Sequence, residues 1–111
     1  YTGCPAMSLF VAEIRAVLHV HGIDDVEIET VYSPAWTTDW LSAESKEKLK
    51  WYGIAPPLGE TSGHFSELPA VPCPRCGSAH TTVKSEFGST ACKALYRCDA
   101  CLEPFDYFKP H

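Results

Sequence analysis

The sequence predicts an α+β chain: a small two-layer module of helix and strand, followed by a β-rich module built around cysteines. Three observations carry this prediction: apolar residues at helical spacing over 6–21, a period-two run over 26–32, and two C-x-x-C pairs near the C-terminal end. With 111 residues, 45% of them apolar, the chain can bury one modest core and a stapled appendage, but not two large independent cores.

Met7, Phe10, Val11, Ile14, Val17 and Leu18 recur three and four residues apart, which is the stripe of an amphipathic helix that packs on a core. Pro5 suits the first helical turn and Gly22 the left-handed stop, an arrangement that puts Cys4 at the N-cap. From Val26 to Tyr32, Val26, Ile28, Thr30 and Tyr32 alternate with Glu27, Glu29 and Val31, so a strand with one polar face is expected. Residues 33–40 are rich in turn formers and contain Trp36 and Trp40, so they read as a loop whose tryptophans cover a core or a partner. A second helix is expected over 43–52, capped by Ser42, with Glu44 in its first turn, a Glu44–Lys48 pair on its face and Gly53 as its stop. Residues 56–69 hold three of the nine prolines, two glycines and few large apolar residues, and 59–69 read as a linker between a module over 1–58 and one over 70–111. In the second module, 81–84 and 94–97 are short β-rich arms, with Gly88 available for the turn between them.

Those arms carry Cys73 and Cys76 to Cys98 and Cys101. The pairs are separated by 21 residues, close to the spacing of four-cysteine metal sites. Zinc favours four thiolates in a closed tetrahedron, and each C-x-x-C turn lets two sulfurs grip one ion. Structural zinc is the expected occupant, and iron of a rubredoxin-like kind is the alternative for the same ligands. With four thiolates present, His80 is not needed as a ligand. Pro74 stiffens the first turn, and Gly77 lets its backbone fold back toward the sulfurs.

Cys4, placed at a helix start, is the best candidate for a reactive thiol, because helix amides and the dipole favour thiolate there. A small buried hydrophobe is the equally weighted alternative. Cys92 lies within the hairpin connection, where packing is the expected role. No catalytic triad, phosphate loop or paired carboxylate stands out, and His19, His21 and His64 show no ligand spacing with the cysteines, so no enzyme is expected.

The net charge is −5, with residues 1–70 at −6 and 71–111 at +1. This balance and the lack of a basic cluster argue against a nucleic-acid surface. No apolar run approaches a membrane span or a signal peptide, and the paired cysteines suit a reducing compartment, so a cytoplasmic protein is expected. The sequence opens on Tyr1 rather than Met, so upstream residues are expected to be absent from it.

Thr2-Gly3-Cys4-Pro5 before a helix, Pro34-Ala35-Trp36-Thr37-Thr38-Asp39-Trp40, Tyr52 to Pro57, the run Ser85 to Cys98 and Glu103-Pro104-Phe105-Asp106 closely resemble the PaaD (PaaJ) family. That family belongs to the phenylacetyl-CoA oxygenase system. The resemblance covers nearly the whole chain. It implies an N-terminal domain of the MIP18 (DUF59) type, entered partway through, joined to a zinc ribbon. It further implies a non-catalytic accessory factor that assists iron–sulfur or metal-centre assembly in the monooxygenase that epoxidises phenylacetyl-CoA. The expected partners are then oxygenase or reductase subunits, and Cys4 becomes a thiol that handles iron or a cluster transiently. Two other readings follow from the residues: a structural scaffold subunit docking through the ribbon and the Trp36–Trp40 loop, and, against the charge balance, a nucleic-acid-binding ribbon.

Overall fold

A computed structural model describes residues 4–59 and 70–111. The chain forms two compact units, Tyr1–Pro34 and Ala35–His111.

In the first unit, helix α1 spans Ala6–Val20, as its periodicity predicts. Gly22 takes φ 76°, and the Ile23 N–H closes the last turn on the Leu18 carbonyl at 3.0 Å. The start of the helix differs from expectation. Pro5, with helical φ −66° and ψ −17°, occupies the N-cap, and Cys4 lies one residue outside it, its carbonyl accepting from the Met7 N–H at 3.2 Å. Proline's fixed φ is already helical, which moves the boundary by one residue. The apolar stripe forms but stays uncovered: no residue of α1 is buried, and Phe10, Ile14 and Val17 are exposed.

The strand expected over 26–32 does not form; these residues join no ladder, and Val31 and Tyr32 are exposed. Period-two alternation shows which faces a strand would have, but a ladder also needs a neighbouring backbone for its N–H and C=O groups. None of the described residues provides one.

The second unit opens with a short 3₁₀ turn, Thr38–Trp40, in which the Thr37 hydroxyl accepts from the Asp39 N–H at 3.2 Å. Trp36 and Trp40 flank or end this turn and are exposed rather than covering the core. Helix α2, Ala43–Trp51, follows its sequence signals closely: Ser42 Oγ accepts from the Ser45 N–H at 3.1 Å, Glu44 and Lys48 pair at 2.7 Å, and Gly53 stops the chain at φ 78°.

Strands β1 (Ile54–Ala55), β2 (Thr81–Ser85), β3 (Lys93–Cys98) and β4 (Pro104–Phe108) form one sheet in the order β1-β4-β3-β2. The β2–β3 hairpin was legible in the sequence; β1 and β4 were not. Ala94, Tyr96 and Cys98 of β3 and Phe105 and Tyr107 of β4 point to one face, where they pack with Ala55, Val71 and Cys73. Tyr96 stacks on Phe105, its cross-strand partner, with ring centroids 5.6 Å apart.

The first module was expected to run to residue 58, yet residues 35–59 join the ribbon by compactness. The physical reason is β1, which pairs in parallel with β4 through Ile54↔Asp106 and Ala55↔Tyr107. The Leu58 N–H also donates to the Tyr107 hydroxyl at 3.4 Å. Apart from Gly59, the linker expected over 59–69 lies outside the described residues.

Candidate metal centre

Two tight turns present the cysteines, and they share one geometry. In the first, the Cys73 N–H donates to the Ser78 carbonyl at 2.9 Å; in the second, the Cys98 N–H donates to the Glu103 carbonyl at 2.9 Å. Four residues beyond each leading cysteine the backbone enters the left-handed region, at Gly77 (φ 76°) and at Leu102 (φ 66°). Gly77 meets this demand without strain and its N–H closes on the Cys73 carbonyl at 2.8 Å, whereas Leu102 meets it at a steric cost. Gly77 was legible as a turn residue; Leu102 carried no sequence signal, because leucine gives no hint of a positive φ.

The sheet brings the turns together. Thr81 pairs with Cys98 in the β2–β3 register, and the Asp99 N–H donates to the His80 carbonyl at 2.9 Å. The Thr82 hydroxyl donates to Asp99, and the Thr81 hydroxyl to the Val71 carbonyl at 2.8 Å. His80 therefore contributes its backbone to the site.

The Sγ atoms of Cys73, Cys76, Cys98 and Cys101 all lie within 4.8 Å of one another. The Cys73–Cys101 and Cys76–Cys98 contacts, each between the two turns, measure 3.8 and 3.6 Å. A zinc tetrahedron with bonds of about 2.3 Å has sulfur–sulfur edges of about 3.8 Å, so the four residues fit such an ion. Cys73 and Cys98 are buried, whereas Cys76 and Cys101 face outward.

The electrostatics of the four thiols point the same way. The Cys101 N–H, then the Ala100 N–H, draw the Cys98 thiol down to about 6 against the opposing effect of burial. Cys101 is pushed up to about 12; the Glu103 N–H draws it down, but burial and the three other sulfurs outweigh that amide. One thiolate forms readily, while Cys76 and Cys101 resist becoming the next. A divalent cation held by these four sulfurs would remove this conflict, and zinc there would supply chain crosslinking rather than an open coordination position.

Cys4 lies in the other unit, half-buried, and among the described residues nothing hydrogen-bonds to its sulfur. Cys92 lies in the hairpin connection, its sulfur 3.0 Å from the Thr90 hydroxyl and its carbonyl accepting from the Lys109 N–H at 3.0 Å. His19 sits on the α1 surface beside Asp24, away from any ligand set.

Two C-x-x-C turns held together by the antiparallel strands β2, β3 and β4, with four sulfurs within 4.8 Å of one another, define a zinc ribbon. Residues 59–109 match the family model of the PaaD zinc beta ribbon domain, and this part of the chain is a PaaD-type ribbon. Over 109 residues, 98% of its length, the chain is 54% identical to a protein of Escherichia coli (strain K12) provisionally named as a subunit of 1,2-phenylacetyl-CoA epoxidase, and it spans 66% of that relative. No solved structure matches the chain. No helix among the described residues is long and apolar enough to cross a membrane.

Proposed function

We propose that the protein is a non-catalytic accessory subunit of a phenylacetyl-CoA ring-epoxidising monooxygenase, assisting assembly or maturation of that enzyme's metal or iron–sulfur centre. The observation that carries this reading is the closed four-sulfur cluster at Cys73, Cys76, Cys98 and Cys101, in a chain 54% identical to an epoxidase subunit. A full thiolate shell holds a fold together but leaves no position for substrate or oxygen. On this reading the N-terminal part derives from a MIP18 (DUF59) type module, and Cys4, free of a cap bond, is the thiol that receives iron or a cluster. The partners are oxygenase or reductase subunits, and the protein works in the cytoplasm.

The test is to produce the oxygenase with the wild-type protein, with Cys4→Ser, or alone, and to measure its iron content and epoxidation activity. Loss of both with Cys4→Ser, while that variant stays folded, is the expected result. Full iron loading with Cys4→Ser would sink the role of Cys4, and full loading without the protein would sink the maturation reading.

The exposure of Trp36 and Trp40 favours a second reading, a scaffold subunit docking through that loop. Fixed-stoichiometry co-purification with the oxygenase, lost in Trp36→Ala/Trp40→Ala, distinguishes it from a transient maturation factor.

A further inference from the structure

The chain's three tryptophans, Trp36, Trp40 and Trp51, all precede residue 59, and its four metal-ligand cysteines all follow residue 70. The fold ties these two segments together at several points within one unit. Thr38 bonds the backbone of His111. Strand β1 lies on β4, and Leu58 bonds the Tyr107 hydroxyl. Arg75, between Cys73 and Cys76, lays its guanidinium against Gly53 at the end of α2: a Cβ at Gly53 would sit 3.1 Å from Nη2 and 3.2 Å from Nε. Lys48, Trp51 and Pro74 line an open groove between that helix and the cysteine turn.

What these contacts rest on is small. The buried apolar cluster is Ala55, Val71, Cys73, Ala94, Tyr96, Cys98, Phe105 and Tyr107, and two of its members are ligand cysteines. A core of this size does not by itself offset the conformational entropy of the residues it orders, so the metal's binding energy is needed to hold the sheet. Helix α2 buries no residue of its own, and β1 is two residues long, so neither persists without β4 and the cysteine turn.

We propose that metal binding at Cys73, Cys76, Cys98 and Cys101 controls the folding of residues 35–59. The tryptophan-bearing segment is then an ordered surface only in the metal-loaded protein, and Arg75 is the side chain that couples the metal turn to the end of α2. This inference rests on the ribbon holding a metal and not on the accessory role.

The test is amide hydrogen exchange by mass spectrometry on the full chain, zinc-loaded, then stripped with a chelator, then reloaded, with zinc content measured at each stage. Tryptophan emission anisotropy reads residues 36–51 independently, since the ribbon contains no tryptophan. The expected result is that stripping accelerates exchange in α2 and β1 together with β3 and β4, by at least about tenfold. Anisotropy should fall in parallel, and reloading should reverse both. Arg75→Ala should keep its zinc yet exchange faster over residues 50–55, with Arg75→Lys between it and wild type. Protection of α2 that survives zinc loss would overturn the inference, as would a chain that never binds zinc, and the zinc measurement separates those failures. Unchanged exchange in Arg75→Ala would remove Arg75 from the coupling.

Discussion

Thr38 and His111 are bonded to each other across 73 residues of sequence, and Thr38 is 1% exposed. The Thr38 N–H donates to the His111 carbonyl at 3.0 Å and its hydroxyl to the same oxygen at 3.4 Å, while the His111 N–H donates back to the Thr38 hydroxyl at 3.2 Å. Thr38→Val keeps the shape but leaves the His111 N–H without this acceptor. A loss of roughly 1–3 kcal/mol is expected, read as a lower midpoint in denaturant with zinc content unchanged.

The four-cysteine centre predicts one zinc per chain by elemental analysis. Replacing one ligand, as in Cys76→Ser, should abolish tight binding and cooperative melting of the ribbon, because such sites supply roughly 10–16 kcal/mol of folding energy. The ligands must be thiolates, so acid competes with the metal and affinity should fall as pH falls. Zinc retained by Cys76→Ser at wild-type affinity would contradict the site.

Leu102 and Gly77 occupy equivalent left-handed positions, at φ 66° and 76°. Leu102→Gly should therefore stabilise the zinc-loaded protein by about 1 kcal/mol, and Gly77→Leu should destabilise it by a similar amount. Thermal midpoints that move together in the same direction would show that the two turns are not equivalent.

Tyr96 is pushed up to about 12 by burial, with Tyr107 adding to the effect, and burial raises Tyr107 as well. In the unfolded chain Tyr96 ionises near 10.0, so above that pH the unfolded state has lost a proton that the folded state still holds. Stability should decline as pH rises from 10.0 toward about 12. Tyr96 and Tyr107 should titrate late in a tyrosinate absorbance titration. In Tyr96→Phe part of the alkaline loss of stability should disappear.

The sequence by itself determined what depends on neighbours along the chain. Ser42, Glu44, Lys48 and Gly53 delimit α2 through bonds spanning a few residues, and each stands where its chemistry predicts. The periodicity from Met7 to Leu18 made α1 for the same reason. The cysteine spacing singled out the four sulfurs that the fold gathers within 4.8 Å of one another, since a C-x-x-C turn is local and two matched turns leave few other uses. What only the tertiary structure decided depends on residues far apart in sequence. Val26–Tyr32 has a strand's pattern but no partner backbone among the described residues, whereas Ile54–Ala55, too short to show any pattern, is a strand because β4 lies beside it. Pairing with β4 also moved residues 35–59 into the metal unit, and a ladder hydrogen bond is satisfied by whichever backbone lies alongside, which no local pattern specifies.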